Sequence, residues 1–350
     1  LATALVGCGS KSTVTSTTPV EDKGVTIRVE TTFTGADPYT QVWQQGIKDF
    51  QTKNPKIKVI DEATSAASEA FKTKINTDFA SGNEPDVTYG FNGAAGKPLV
   101  DSGKVISWED ELAKDPTWAA NFKKAGLDAG KYDGKLYALP YIGFFEGVWI
   151  NTDLFKNNGL EIPKTYEDIL KDIPVLNAKN ITPIACSFAE EPHYLIETLL
   201  LSQGGVTGHN KAFDASWAPA LALAKELYDK KAFTADALTI KQAACAQAFT
   251  DKKAAMFISG SWSGGAFQKM KDVSIIPLPL VPGAKAKAND IIGGTGTGWY
   301  VTKALNDKKN GAAMKFVKFM TRPEQLAKFA EKGGVPLENV PATTTEIGRA

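Results

Sequence analysis

Strand-like and helix-like patterns alternate between residues 25 and 92. Apolar residues recur with period two in the predicted strands and at helical spacing in the predicted helices. Strands that alternate with helices predict an open, mostly parallel sheet, an α/β fold. Ligands of such sheets bind beyond the carboxyl ends of the strands, so segments 34–39 and 89–92 are expected to contribute to a site. The predicted elements are strands at 25–29, 57–60 and 86–90 and helices at 43–50 and 68–81.

The same alternation returns after residue 145. Thr165 followed by Asp168 comes close to a capping box, which marks the start of a helix. We therefore expect a second α/β lobe over about residues 145–290. Its further predicted elements are strands at 181–187, 254–258 and 273–280 and a helix around Trp217.

The stretch 132–159 separates the two patterns and is crowded with aromatic residues. Asp133-Gly134 marks a tight turn, and strand-like runs flank Pro140 on both sides. An extended segment broken by proline and glycine suits a crossing between two lobes better than a core strand. The glycine run at 293–298 is expected to cross back. The expected division is 25–141 and 296–325 for the first lobe, and 145–290 and 326–350, with a truncated carboxyl end, for the second.

Composition restricts the classes of function. The chain has 350 residues, enough for two domains, and a net charge of +1 from 40 basic and 39 acidic residues. A nucleic-acid-binding protein would show a basic excess, so no nucleic-acid partner is expected. Two histidines and three cysteines argue against a metal cluster or histidine-based catalysis, and no cofactor or metal is predicted. Cys186 and Cys245 would be able to pair in an exported protein, but two separate buried thiols are the favoured interpretation.

The amino end resembles the tail of a secretory signal. Leu5-Val6-Gly7-Cys8 has the form of a bacterial lipoprotein signal box, and a Ser/Thr run at 10–18 follows as a tether. The alternative is an apolar fragment with a free cysteine. We expect residues 1–24 to be a signal remnant and tether with Cys8 lipidated, and the protein to be exported and either anchored on the outer side of the cytoplasmic membrane or periplasmic. No later stretch is long and apolar enough for a membrane helix.

Aromatic residues are concentrated at predicted strand ends and crossings. Any one of them alone would most often be a core residue, but their convergence on one cleft favours stacking on a sugar ring. Asp37, Glu146 and Asn92 are the expected acceptors for sugar hydroxyls. A strongly charged ligand would require clustered opposite charge, which the sequence does not show. The aromatic residues are Tyr39, Tyr89, Tyr141, Phe144, Trp149, Trp262 and Trp299.

Catalytic interpretations fit the chain poorly. The glycine run lacks the Gly-Lys-Ser/Thr ending of a nucleotide loop, and Trp262 stands where a nucleophile elbow requires serine. A glycosidase needs two carboxylates at a defined separation, and Glu146 has no distinctive second. We therefore expect no enzymatic activity and keep glycan cleavage through Glu146 as a remote alternative.

Several segments, in this order and spacing, carry a resemblance to a known family. They are Phe50-x-x-x-Asn54-Pro55, Ser81-Gly-Asn-Glu-Pro-Asp-Val87, Asp133-Gly-Lys-x-Tyr-x-Leu-Pro140, Asn151-x-x-Leu-Phe-x-x-x-Gly-Leu160, Pro163-Lys-Thr-Tyr166, Phe249-x-x-x-Lys253-Ala-Ala-Met-Phe-Ile-x-Gly-Ser-Trp262 and the glycine run before Trp299. The chain resembles the family 1 extracellular solute-binding proteins of bacterial ABC importers, which include the maltose- and oligosaccharide-binding proteins.

The resemblance implies two α/β lobes joined by several crossings that close on a sugar by hinge bending. It implies a monomer that delivers its carbohydrate to the transmembrane subunits of a permease. Trp262 matches the family's aromatic residue that stacks on a sugar ring. The other expected ligand-binding residues are Tyr141, Glu146 and Trp299 at the crossings and Asp37, Tyr39, Tyr89 and Asn92 at strand ends. The alternative ligands of the same fold are a polyol, a glycerophosphodiester or a peptide.

Overall fold

The computed structural model describes residues 24–35, 37–65, 69–288 and 290–336. Cys8 and the predicted signal remnant lie outside the described residues, as does the segment 337–350. The strands are β1 (Val25–Glu30), β2 (Ile57–Asp61), β3 (Val87–Phe91), β4 (Lys131–Tyr132), β5 (Lys135–Leu136), β6 (Leu139–Pro140), β7 (Ile142–Asn151), β8 (Thr182–Ala185), β9 (Ala254–Gly260), β10 (Val273–Ile276), β11 (Gly293–Gly294), β12 (Thr297–Val301) and β13 (Val335–Pro336). The helices are α1 (Thr40–Lys53), α2 (Ala70–Ser81), α3 (Gly93–Asp101), α4 (Glu109–Lys114), α5 (Pro116–Ala119), α6 (Lys124–Ala129), α7 (Thr152–Asn157), α8 (Tyr166–Asn177), α9 (His193–His209), α10 (Trp217–Asp229), α11 (Gln242–Thr250), α12 (Gly264–Phe267), α13 (Lys303–Lys308), α14 (Ala312–Met320) and α15 (Pro323–Ala330).

The first sheet has the strand order β2-β1-β3-β12-β6. The strands β1, β2 and β3 are parallel, as the alternation of strands and helices predicts, whereas β12 runs antiparallel to β3 and β6. Successive residues of β12 alternate between the two faces, with Trp299 in one core cluster and Tyr300 in the other. Helices α1 and α14 cover the first face, and α2 and α3 cover the second. We call the elements packed on this sheet the first lobe.

The second sheet is built around β7, in the order β10-β7-β9-β8. Val148 and Ile150 of β7 face a core formed with α8, α9 and α10. Trp149 faces the opposite side, where α11 and α12 pack. The second lobe is therefore also a sheet with helices on both faces. Cys186 and Cys245 are both buried and free, which confirms the interpretation as separate thiols.

The chain passes between the sheets at Tyr141. β6 pairs with β12 in the first sheet, and β7 begins one residue later in the second. β7 continues without a break for ten residues, so the expected interruption by glycine is absent. Gly147 instead permits the neighbouring strand β10 to approach β7 closely, because a Cβ at residue 147 would meet the Ile276 carbonyl oxygen at 2.7 Å.

Two returning segments pair with the amino-terminal half of β7. Gly293 of β11 lies opposite Phe145, and Val335 of β13 lies opposite Gly143. Since β11 leads directly into β12 of the first sheet, the glycine run crosses back as expected. Three crossing segments thus meet at residues 142–145.

Helix α15 packs differently from the sequence expectation. Leu326 and Phe329 belong to the core of the first lobe, and the Phe329 ring lies 5.1 Å from the Tyr141 ring. The assignment of residues 326–350 to the second lobe is therefore wrong for α15. The buried apolar face of α15 packs against Phe33 and Tyr39. The spacing of apolar residues in the sequence does not reveal which lobe a helix covers.

The capping box of α8 provides a first testable prediction. The Thr165 hydroxyl accepts from the Asp168 backbone N–H, and the Asp168 carboxylate accepts from the Thr165 backbone N–H. We expect Thr165→Ala to lower the free energy of unfolding by about 1 kcal/mol, because the cap satisfies an otherwise unpaired donor. Thr77→Ala, at an exposed interior position of α2, is the matched control and should change stability less. Equal losses in urea unfolding of the two variants would contradict the prediction.

Candidate ligand-binding cleft

Four of the predicted stacking residues meet in the core of the first lobe. Tyr39, Tyr89, Tyr141 and Trp299 have no more than 5% of any side chain exposed. The Trp299 ring lies 4.8 Å from that of Tyr89 and 5.2 Å from that of Tyr141. Their faces are occupied by one another and by core rings, so the expectation that they are open stacking platforms is wrong. The large apolar area of an aromatic ring makes the core the favourable place for it.

Trp149 is a core residue as well, in the second lobe. Its indole N–H donates to the Gly260 carbonyl oxygen at 3.1 Å, and its ring lies 5.0 Å from Phe267. The expectation of a stacking role is therefore also wrong for Trp149.

Asp37 and Asn92 lie at strand ends as expected and are held by local hydrogen bonds. The Asp37 carboxylate accepts from the Tyr39 backbone N–H at 2.7 Å, and burial raises the pKa of Asp37 to about 6. The Asn92 side-chain amide donates to the carbonyl oxygens of Thr295 and Thr297 at 3.3 and 3.4 Å. Asn92 thus holds the returning glycine run against β3, which is a structural role.

Trp262 follows β9 and lies between the lobes. The side chain is partly exposed, belongs to a turn after the second sheet, and packs against the core of the first lobe. Its ring lies 5.8 Å from Phe144 at the crossing and 5.4 Å from Tyr194 on α9. A Cβ at residue 260 would meet the Trp262 ring at 2.1 Å, so Gly260 is required for the ring to lie over the strand end.

Glu146 lies on β7 directly opposite Gly260, beside this ring. Its side chain is 6% exposed, and Oε2 has no hydrogen-bond partner among the described residues. Burial raises the pKa of Glu146 to about 8, and the charges of Glu197 and Glu191 add to the shift. A buried carboxyl group without a partner at one oxygen is costly unless a ligand supplies one.

Tyr194 at the start of α9 is a candidate site residue that the sequence analysis missed, since its ring lies 5.4 Å from that of Trp262. Burial raises the pKa of its hydroxyl, and the charges of Glu191, Glu146 and Glu197 raise it further. Because β8 and β9 are parallel, their carboxyl ends share one edge of the sheet. The strand-end argument applied to the segment after β8 would have identified it.

The start of helix α2, in the first lobe, lies close enough to α9 for its charged side chains to act on His193. Burial lowers the pKa of His193, and the charge of Lys72 in the first lobe lowers it further. The charges of Glu197 and of Glu69 in the first lobe raise this pKa. Lys72 pairs with Glu69 at 2.8 Å and lies 5.2 Å from the centre of the Phe91 ring. The cleft is therefore bounded by residues of both lobes, with aromatic rings and carboxylates on the second-lobe side.

Neither a metal cluster nor a membrane span is found in the described part of the chain. No group of three or more His, Cys, Asp or Glu side chains there is arranged to hold a metal ion. Among the same residues, no helix is long and apolar enough to cross a membrane.

The sequence profile of the bacterial extracellular solute-binding proteins matches residues 36–327. The chain belongs to this family. It is 25% identical over 313 residues to the multiple sugar-binding protein of Streptococcus mutans, covering 83% of this chain and 70% of that protein. It is 29% identical over 220 residues to a fructooligosaccharide ABC transporter substrate-binding protein of Streptococcus pneumoniae, covering 53% of this chain and 38% of that protein.

Solved structures of the same fold are also similar. A chitin oligosaccharide binding protein superposes with a TM-score of 0.81 at 23% identity, over 94% of this chain and 85% of that one. Maltose-bound MalE3 of T. maritima superposes with a TM-score of 0.76 at 19% identity, over 90% and 82%. The predicted fold class, two α/β lobes joined by crossings, is confirmed.

Proposed function

We propose that the protein is the sugar-binding component of a bacterial ABC importer. The observation that carries the proposal is the run of partly exposed rings, Phe144, Trp262 and Tyr194, beside the unpartnered carboxyl group of Glu146. Flat rings pack on the C–H faces of a sugar, and a buried acceptor fixes the orientation of a hydroxyl. The names of the two streptococcal relatives, a sugar-binding protein and a fructooligosaccharide-binding protein, point to the same class of ligand.

The crossings at residues 142–145 are the proposed hinge. Phe144 and Glu146 lie on β7 at or next to the point where β11 and β13 pair with it, so a small rotation there moves one lobe against the other. Closure would place the first-lobe residues Phe91 and Lys72 over a sugar held on the Trp262 side. A ligand that contacts both lobes binds the closed state more tightly than the open state, and it therefore shifts the equilibrium towards the closed state.

Delivery and location are further parts of the proposal. We expect the closed protein to act as a monomer that docks on the transmembrane subunits of a permease. Lipid attached to Cys8 would hold the exported protein at the outer side of the cytoplasmic membrane, with the Ser/Thr run as tether. The similar proteins are binding proteins, so we propose no enzymatic role for Glu146.

A thermal-shift panel of mono- and oligosaccharides tests the function. We expect at least one sugar to raise the melting temperature, because a ligand that binds only the native state stabilises it by about 2.7 kcal/mol at a hundred times its dissociation constant. A panel in which polyols, glycerophosphodiesters or peptides raise the melting temperature and no sugar does would favour the alternative ligands. Release of products from an oligosaccharide, abolished in Glu146→Gln, would indicate an enzyme instead.

A further inference from the structure

A small crevice lies beside Glu146 in the second lobe, between β7, α9 and the segment that follows β10. Its volume of about 20 Å³ accommodates one water-sized group. Its polar lining residues are Glu146, Thr198, Ser202 and Asp290, and the rest of the lining is apolar. A hydroxyl group therefore fits the crevice both in size and in chemistry.

Three of the four polar lining residues already hold hydrogen bonds within the protein. The Thr198 hydroxyl donates to a carbonyl oxygen one turn back in α9 at 2.9 Å. The Ser202 hydroxyl oxygen accepts from a backbone N–H at 3.0 Å, and the Asp290 carboxylate accepts from another at 2.8 Å. Glu146 differs, because its side chain is 6% exposed and Oε2 has no hydrogen-bond partner among the described residues. A buried polar atom without a partner is costly, so Oε2 is the atom that a polar group in the crevice would satisfy.

The crevice lies next to the aromatic rings of the candidate site. Glu146 is directly opposite Gly260 and the Trp262 ring lies over Gly260, so the ring and the Glu146 side chain share one face of the sheet. Tyr194, whose ring lies 5.4 Å from that of Trp262, is four residues before Thr198 and on the same side of α9. A sugar ring packed on Trp262 and Tyr194 therefore has the crevice about one helical turn away, within reach of an exocyclic group.

Backbone hydrogen bonds hold two walls of the crevice against each other. The backbone of Gly205 is non-helical, with φ 64° and ψ −177°, and kinks α9 just beyond the crevice. Next to this kink, the Ser202 carbonyl oxygen accepts from the backbone N–H groups of Lys285 and Ala286 at 3.0 and 3.2 Å. The segment after β10 is thereby fixed on α9. The crevice is preformed, so its size selects among the groups that a ligand presents to it.

We propose that the ligand carries a hexopyranose unit whose hydroxymethyl group enters this crevice, with its hydroxyl hydrogen-bonded to Glu146. This inference rests on the proposed function and names the class of substrate of the same site. A hydroxyl both donates and accepts, so it satisfies Oε2 whether or not the carboxyl group carries a proton. The methylene group beside that hydroxyl is buried against the apolar lining. A pentopyranose lacks the hydroxymethyl group, and a bulkier substituent at the same carbon exceeds the volume of the crevice.

Calorimetry with matched series of sugars tests the inference. Each series consists of a hexose, its 6-deoxy form and the pentose that lacks the sixth carbon. We expect the hexose to bind about ten- to fiftyfold more tightly than the pentose, as one buried methylene group and one hydrogen bond predict. The 6-deoxy form loses only the hydroxyl and should bind about two- to tenfold more weakly than the hexose. The series are D-glucose, 6-deoxy-D-glucose and D-xylose; D-galactose, D-fucose and L-arabinose; and D-mannose, D-rhamnose and D-lyxose, with cellobiose and xylobiose as the disaccharide pair.

A variant that fills the crevice tests its role directly. Ala286 lines the crevice and is 9% exposed, so Ala286→Val should occupy the space that the hydroxymethyl group needs. We expect this variant to bind the hexose about as weakly as the pentose and to bind the pentose as the wild type does. Ala284→Val, which packs on the second-lobe core outside the crevice lining, is the matched control and should keep the preference. The comparison of sugars on the wild-type protein needs neither variant, so poor folding of Ala286→Val does not prevent the test.

The outcomes distinguish this inference from the function on which it rests. Equal affinity for the hexose and the pentose, or for the hexose and its 6-deoxy form, would overturn the inference and leave sugar binding in place. Binding of no hexopyranose in any series, with a melting-temperature shift from another sugar, would do the same. A preference for the hexose that survives in Ala286→Val would place the hydroxymethyl group elsewhere and overturn the inference. Only the absence of a shift with every sugar in the thermal-shift panel would contradict the proposed function itself.

Discussion

The ligand-free protein is expected to lose stability as the pH rises from about 4.5 to about 8, and Glu146→Gln is expected to remove much of this loss. The pKa of Glu146 is raised by burial from the ordinary value of 4.5 to about 8 in the folded protein. Between these values the unfolded chain releases a proton that the folded protein keeps. Unfolding therefore becomes more favourable as the pH rises.

The size of the effect follows from the shift. Because one pKa unit corresponds to about 1.4 kcal/mol, Glu146 accounts for up to about 4 to 5 kcal/mol of stability, present in full below pH 4.5 and absent above pH 8. Other buried carboxyl groups change stability in the same direction. Asp37 and Asp172 are the clearest of these, since burial raises the pKa of each to about 6.

Urea unfolding at several pH values isolates the part due to Glu146. The difference in unfolding free energy between the wild type and Glu146→Gln should change steadily in favour of the variant from about pH 4.5 to 8. Glu161→Gln, which removes an exposed carboxylate of the same lobe, is the matched control for the change in charge. Parallel profiles for the wild type and Glu146→Gln would show that Glu146 ionises like an exposed carboxyl group, and would remove the electrostatic account of the cleft.

Replacing the Trp262 indole should weaken sugar binding more than it weakens the fold. We expect Trp262→Ala to raise the dissociation constant about 30- to 150-fold, because truncation of an aromatic anchor costs about 2–3 kcal/mol. The side chain is only partly buried, at the surface of the first-lobe core. Its loss should therefore lower the free energy of unfolding by only about 1 kcal/mol.

Trp217 is the matched control for Trp262. It too is a partly buried tryptophan of the second lobe, and its indole N–H donates to the Gly208 carbonyl oxygen at 3.1 Å. Gly208 lies fourteen residues beyond Tyr194, on the far side of the kink that the non-helical backbone of Gly205 introduces into α9. Trp217→Ala should lower the melting temperature without changing the dissociation constant. An unchanged sugar affinity in Trp262→Ala, with a stability loss like that of Trp217→Ala, would show that Trp262 is a packing residue only.

Much of the architecture follows from local patterns in the sequence. Apolar side chains at period two and at helical spacing led to the parallel strands β1 to β3 and to the helices that cover them, because burial of a face requires that spacing. Thr165 and Asp168 marked the start of α8, since a cap depends only on residues within one turn. The aromatic stretch around Pro140 and the glycine run were recognised as crossings because both interrupt the alternation.

The composition of the cleft depends on the tertiary structure. The sequence placed seven aromatic residues at strand ends and crossings, but whether a ring faces the core or the cleft depends on what covers it. α15 and α14 return over the first sheet and bury Tyr141 and Trp299, whereas Trp262 and Phe144 remain partly exposed between the lobes. For Tyr141, exposure is decided by a helix almost two hundred residues away in the sequence, because Phe329 of α15 packs on its ring.

The electrostatic environment of Glu146 shows the same limit. No run of like charge in the sequence indicates that Glu197 and Glu191 act on Glu146, because they are separated from it by more than forty residues. β9 lies between β7 and β8, so the end of β8 carries Glu191 and Glu197 to the same edge of the sheet as Glu146. Charge interactions depend on distance in space and on burial, and neither quantity is a property of the sequence pattern.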